Sequence, residues 1–229
     1  MKNPLLQSLR REIKRAADPQ KAAGMQRYMK SPMPYWGTPA PALKKLCRVI
    51  FKDLTFPNAA AWERAVRAIW REATHREERY AAIALTGIKA AAEFQSPLVM
   101  PLYEHLIVDG AWWDFVDVIA SHRVGAILRD HPTAMKRLLK GWSKAPDIWQ
   151  RRTAILSQLT FKDTTNLTFL YGVIEPSLSS QEFFLRKAIG WALRQYAWTD
   201  PKEIVRYVRA NKDRLSPLSQ REALKNIKD

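Results

Sequence analysis

The sequence predicts an all-α protein. Three observations carry the prediction: only eight glycines in 229 residues, apolar side chains that return at three- and four-residue steps, and a near absence of period-two alternation. Leu43, Leu46, Cys47 and Ile50 form one stripe, Trp62, Val66, Ile69 and Trp70 a second, and Ile155, Leu156 and Leu159 a third. Only a helical backbone gathers such spacings on one face.

Prolines punctuate this pattern without breaking it. Asp18-Pro19, Thr38-Pro39, Ser96-Pro97, Asp200-Pro201 and Ser216-Pro217 each place a capping side chain before a proline. The cap oxygen accepts an orphan N–H, and proline at the first helical position loses no bond. Five helix starts are therefore expected at these pairs, within a total of about a dozen helices of roughly 10–18 residues. No linker or composition shift interrupts residues 1–229, so a single domain is expected.

Composition narrows the function. There are 38 Lys and Arg against 22 Asp and Glu, a net charge of +16, and the pI is about 10.1. Such a surface suits a polyanion, nucleic acid first and an acidic membrane surface second; the bland alternative is a solvated basic surface. A hydrophobic share of 47% with nine tryptophans argues against disorder. Cys47 is the only cysteine, which excludes an intramolecular disulfide and a cysteine-cluster zinc site and fits a reducing cytosol. Met1 to Ala17 carries five Lys or Arg and no apolar core, so no secretory leader is expected. No apolar run approaches the ~18 residues of a membrane span. His75, His105, His122 and His131 are scattered without paired-ligand spacing, so no metal is expected. With no Walker loop, GxGxxG or GxSxG, no nucleotide cofactor is expected either.

Four segments look alike. They begin at Glu78, Trp113, Trp149 and Phe184, which lie 35, 36 and 35 residues apart. Each sets an aromatic or acidic residue just inside a helix, then charge, then small and aliphatic side chains. A helix-pair period of this size belongs to HEAT- or armadillo-like solenoids, although an irregular bundle would also permit it. In a solenoid, equivalent helices stack along one concave wall. Asp117, Arg152 and Lys187 would then form a charged ladder. Trp113 shares a helix face with Asp117, four residues on, and Trp149 with Arg152, three on. Lys187, Trp191 and Arg194 share another. Trp112 and Trp113 diverge by about 100°, so one can join the core while the other faces the groove. An indole beside a charge suits a cationic or flat π-rich ligand. Taken singly, each tryptophan is more often core than site, Trp149 above all, and Asp117 could simply pair with Arg152.

The segments Ala111-Trp112-Trp113-Asp114-Phe115-Val116-Asp117, Ile148 to Leu156 and Lys187-Ala188-Ile189-Gly190-Trp191-Ala192-Leu193-Arg194 carry something more specific. In this order they resemble the AlkD-type DNA glycosylases, a HEAT-like DNA alkylation repair family. The resemblance runs from Arg27-Tyr28-Met29-Lys30 to Leu218 through Ala223. It implies a HEAT-like solenoid with a concave basic groove, and a monofunctional glycosylase that releases cationic N3- or N7-alkylpurines from duplex DNA during base excision repair. Asp117 matches the family's catalytic aspartate, Trp113 its groove tryptophan and Trp191 its second aromatic wall. Arg152 matches the groove arginine. Arg152, Lys187 and Arg194 are then expected to contact DNA, each at a phosphate, as are Tyr28, Lys30 and the Thr38-Pro39 turn; Gly37 departs from the polar residue the family pattern favours. The partner is double-stranded DNA with alkylated purines, met by a cytoplasmic monomer that associates with the nucleoid when bound. Two rivals use the same sequence: a non-catalytic HEAT-like binder of duplex or branched DNA, and a protein–protein adaptor whose charge is incidental.

Overall fold

The computed structural model describes residues 4–227, and among these every regular element is helical, fourteen α-helices with short 3₁₀ and π turns. The chain divides into two compact units, Met1–Gln95 and Ser96–Asp229. None of the helices is long and apolar enough to cross a membrane.

The first unit contains α1 (Pro4–Arg15), α2 (Pro19–Met29), α3 (Ala40–Ile50), α4 (Ala59–Glu72) and α5 (Arg76–Leu85). Its core follows the sequence stripes. Leu6, Leu9 and Ile13 of α1 and Trp62, Val66, Ile69 and Trp70 of α4 are at most 1% exposed. Each such side chain contributes roughly 1.5–3 kcal/mol by leaving water. Leu43 and Cys47 of α3 are buried beside them in the sequence pattern, while Leu46 and Ile50 are half-buried.

Two buried acids at the start of α5 tie this unit together. Glu78 accepts from Arg10 Nε and Nη2, both at 3.0 Å, and from the Thr74 N–H at 2.9 Å. Glu77 accepts the backbone N–H groups of Trp36, Gly37 and Thr38 at 3.1, 2.9 and 3.1 Å. Gly37 adopts φ +83°, and a Cβ there would meet the Asp18 carbonyl oxygen at 2.0 Å. The turn is closed by glycine on one side and by Glu77 on the other.

The second unit contains α6 (Met100–Gly110), α7 (Trp113–Val118), α8 (Gly125–Asp130), α9 (Pro132–Trp142), α10 (Ile148–Leu156), α11 (Leu167–Ile174), α12 (Phe183–Ala197), α13 (Pro201–Ala210) and α14 (Pro217–Leu224). A π turn, Ile119–Val124, joins α7 to α8 without a break in the helix. Successive helices pack on one another: α10 contacts both α7 and α12, and α12 contacts α14. This is an all-α helical-repeat arrangement. Ile155, Leu156, Ile189, Leu193 and Ile204 are buried in its core.

Three of the five expected proline starts are capped as predicted. Asp18 accepts from the N–H groups of Gln20 and Lys21, Asp200 from that of Glu203, and Ser216 from that of Ser219. The other two differ. Thr38 turns its hydroxyl to the Ile13 carbonyl oxygen, 3.2 Å away, and its N–H to Glu77, so Pro39 becomes the cap of α3 without a side-chain bond. Ser96 opens a 3₁₀ turn, Pro97–Val99, that runs into α6.

Candidate functional site

The repeat spacing brings Asp117 of α7 and Arg152 of α10 into direct contact. Arg152 Nε donates to Asp117 Oδ1 at 2.7 Å and Nη2 to Oδ2 at 2.8 Å. This two-pronged pair fixes both distance and plane. The side chains are 5% and 13% exposed, so the pair is largely out of water. Nη1 of the same guanidinium donates to the Phe184 carbonyl oxygen of α12. Arg152 therefore links three neighbouring helices, and the edge expected to meet phosphate holds a carboxylate and a carbonyl.

Burial pushes the Asp117 carboxyl up from its ordinary value, Arg152 opposes this by hydrogen bond and charge, and Asp114 adds a smaller push upward. The helix changes register directly after Asp117. Ser121 Oγ donates to the Asp117 carbonyl oxygen at 2.6 Å across the start of the π turn. A π turn inserted in an α-helix is an energetically poor local choice that recurs at functional sites. Gly125 follows it, and a Cβ there would meet the Ser157 carbonyl oxygen at 2.6 Å. The close packing of α8 on the end of α10 depends on that glycine.

The two adjacent tryptophans are both half-buried and differ in what they pack against. Trp112 caps α7 with extended backbone and packs into a three-ring cluster. Its ring centroid lies 6.2 Å from Trp149 and 5.3 Å from Phe184, and those two lie 4.9 Å apart. The Trp112 indole N–H is buried without a hydrogen-bond partner. Trp149 is 6% exposed, as a core residue is. The Arg152 guanidinium sits 6.0 Å from the Phe184 ring centroid, so the cluster packs beside the ion pair. Trp113 stays half-buried on the helix face it shares with Asp117.

Further along, α12 presents Lys187, Trp191 and Arg194 at four- and three-residue steps. Trp191 is half-buried, its ring packed against the core cluster. Lys187 Nζ lies 2.8 Å from Glu222 Oε1 of α14, and Arg194 Nη1 pairs with Oε2 of the same carboxylate. That common partner confirms the shared face of the two cations. Glu222 lies below the usual carboxylate range, held there first by the Lys187 hydrogen bond. The sequence reading singled out both cations and passed over the carboxylate. Glu222 lies 35 residues after Lys187, one more step of the spacing that relates Asp117, Arg152 and Lys187, although no look-alike segment beyond Phe184 marks it.

The remaining candidates belong to the first unit. Tyr28 is 77% exposed, and Lys30 is exposed on a left-handed C-cap. Pro39 is half-buried and Thr38 is 1% exposed. Among the described residues no three His, Cys, Asp or Glu side chains are grouped to hold a metal ion.

Comparison with known proteins agrees with this geometry. The family model described as DNA alkylation repair enzyme matches residues 9–227. A solved structure described as a predicted DNA alkylation repair enzyme from Enterococcus faecalis is 31% identical and superposes with a TM-score of 0.83, covering 92% of this chain and 96% of that one. No curated protein matches the sequence significantly. A family match across almost the whole chain, with a relative of the same fold at this identity, fixes the assignment: the protein belongs to the DNA alkylation repair enzyme family.

Proposed function

We propose that the protein is a monofunctional DNA glycosylase that hydrolyses the N-glycosidic bond of cationic N3- or N7-alkylpurines in duplex DNA, the first step of base excision repair. The reading includes one HEAT-like domain over residues 1–229 whose concave wall faces the duplex, acting as a cytoplasmic monomer without metal or nucleotide cofactor. The observation that carries it is the Asp117–Arg152 pair. A mostly buried carboxylate is held in a fixed plane by two hydrogen bonds, on the helix face it shares with a half-buried indole.

The chemistry follows from these groups. An N3- or N7-alkylated purine is already cationic, so its glycosidic electrons leave with a base that becomes neutral. Positive charge then develops on the deoxyribose. Asp117 stabilises that charge and takes a proton from the water that adds to the anomeric carbon. Trp113 and Trp191 offer π faces to positive charge on base and sugar. Arg152 holds and aims the carboxylate, while Lys187 and Arg194 flank Trp191 on the DNA-facing wall. Tyr28, Lys30 and Pro39 supply contacts from the first unit, whereas Thr38, buried with its hydroxyl and N–H both bonded, supplies none.

One observation favours a second reading. Both Asp117 oxygens already accept from Arg152, as they would in a non-catalytic DNA-binding protein where the pair only joins helices. Release of free base from duplexes carrying N7-methylguanine separates the two. The glycosylase releases it, and a binder retains the duplex intact.

A further inference from the structure

We propose that Glu222 is a built-in competitor for phosphate, which holds the two cations flanking Trp191 and weakens the protein's grip on undamaged duplex DNA. The proposal rests on the duplex-binding part of the function above. It adds a residue of α14 that the repair chemistry does not call for.

The placement of Glu222 is fixed by two contacts that hold α14 on α12 and by the cap that starts α14. Gly190 lies between Lys187 and Arg194, and a Cβ there would come within 2.5 Å of Glu222 Cβ and 3.0 Å of the Ser219 carbonyl oxygen. Ser219 Oγ donates to the Arg186 carbonyl oxygen at 3.0 Å. Ser216 caps α14 through the Ser219 N–H at 3.0 Å. The Glu222 side chain ends up 13% exposed between Lys187 at 38% and Arg194 at 21%. Glu12, which also pairs with two cations but on the surface of its own helix, is 31% exposed.

Charge makes the consequence specific. The chain carries a net +16, and the first unit alone carries 18 Lys and Arg against 8 Asp and Glu. Such a protein binds any duplex through counterion release, without regard to damage. On α3, Lys44, Lys45 and Arg48 are exposed, so they can meet phosphate directly. Lys187 and Arg194 cannot. A phosphate that reaches them must displace or share a carboxylate that is already bound, and exchanging one anion for another releases few counterions. The cations nearest Trp191 are thus kept from adding to non-specific affinity. Because those cations hold Glu222 below the usual carboxylate range, it stays charged throughout the neutral region and competes at every working pH.

The test is the salt dependence of binding to an undamaged duplex, read by fluorescence anisotropy. Glu222→Gln keeps the shape and removes the charge. The log–log salt slope should steepen by up to about 1.8, two cations at ~0.9 each, and affinity at about 0.15 M salt should rise roughly tenfold. Adding Lys187→Ala and Arg194→Ala to that variant should abolish the gain. The same pair of changes in the native background should move the slope little. An unchanged or shallower slope in Glu222→Gln overturns the proposal. Should that variant not fold, a drop of about 1.8 for Lys187→Ala/Arg194→Ala in the native background overturns it equally. Base release by the unaltered protein, measured alongside, reports on the glycosylase reading alone. Release without a Glu222 effect rejects only the competitor, and a Glu222 effect without release rejects only the glycosylase.

Discussion

Replacing Arg152 with methionine is the sharpest perturbation of the site's framework. Methionine keeps most of the stem's length and packing, so the loss is mainly that of the charge and its donors. With its partner gone, Asp117 becomes an uncompensated carboxylate in a setting where its side chain is 13% exposed. Breaking a buried pair in this way costs about 3–5 kcal/mol. The Phe184 carbonyl loses a donor in the same change. The deficit should also depend on pH in a definite direction. Burial already raises the Asp117 pKa against the opposition of Arg152, and without that opposition it rises further. A carboxyl with a raised folded pKa binds its proton more tightly in the folded state, so the variant recovers stability as pH falls through that value. Guanidinium chloride unfolding at neutral pH and near pH 5 measures both effects. A deficit below about 1 kcal/mol at neutral pH, or one of equal size at both, would refute the reasoning.

Three further outcomes follow from the same geometry. Enzyme-dependent base release should fall on the acid side with an apparent pKa above that of an ordinary aspartate, because the Asp117 carboxyl is raised by burial; a single-turnover pH profile flat down to about pH 4 would count against it. Gly190→Ala should cost roughly 1–3 kcal/mol by forcing α14 off α12, and by drawing Glu222 away it should tighten binding to undamaged duplex; thermal melts and anisotropy read the two effects. Selectivity should follow lesion charge. Trp191→Ala should slow release of cationic alkylpurines, each cation–π contact being worth roughly 0.5–2 kcal/mol, and neutral uracil should stay in a matched duplex, so its efficient release would contradict the role given to the two indoles.

The sequence was most informative where one local rule acted alone. Asp18, Asp200 and Ser216 cap their helices, and the other bonds their side chains make, Asp18 Oδ2 to Lys21 and Ser216 Oγ to the Ser219 hydroxyl, stay within the same first turn. Thr38 fails as a cap because Glu77, 39 residues away, claims its N–H and the Ile13 carbonyl its hydroxyl. A tertiary contact overrides the local signal. The spacing of 35 residues between Asp117 and Arg152 predicted that they would stand on neighbouring helices in register. Spacing says nothing about whether the cation turns to solvent or to the carboxylate beside it, and Arg152 turns inward. The π turn after Asp117 has no compositional mark, since Ile119 to Val124 reads as ordinary helix. Glu77 was illegible because its partners are long-range and no local spacing marks it; Glu222 stands one 35-residue step beyond Lys187, but without a look-alike segment around it.

The central claim is that Asp117 stabilises the charge that develops as the base leaves. Single-turnover base release from an N7-methylguanine duplex, compared between the native protein and Asp117→Asn, tests it most directly. Asparagine preserves the shape and one acceptor oxygen for Arg152 while removing the charge. The account predicts near-native affinity for the duplex with release slower by about 10²–10³. Release at the native rate by a folded Asp117→Asn variant would contradict it.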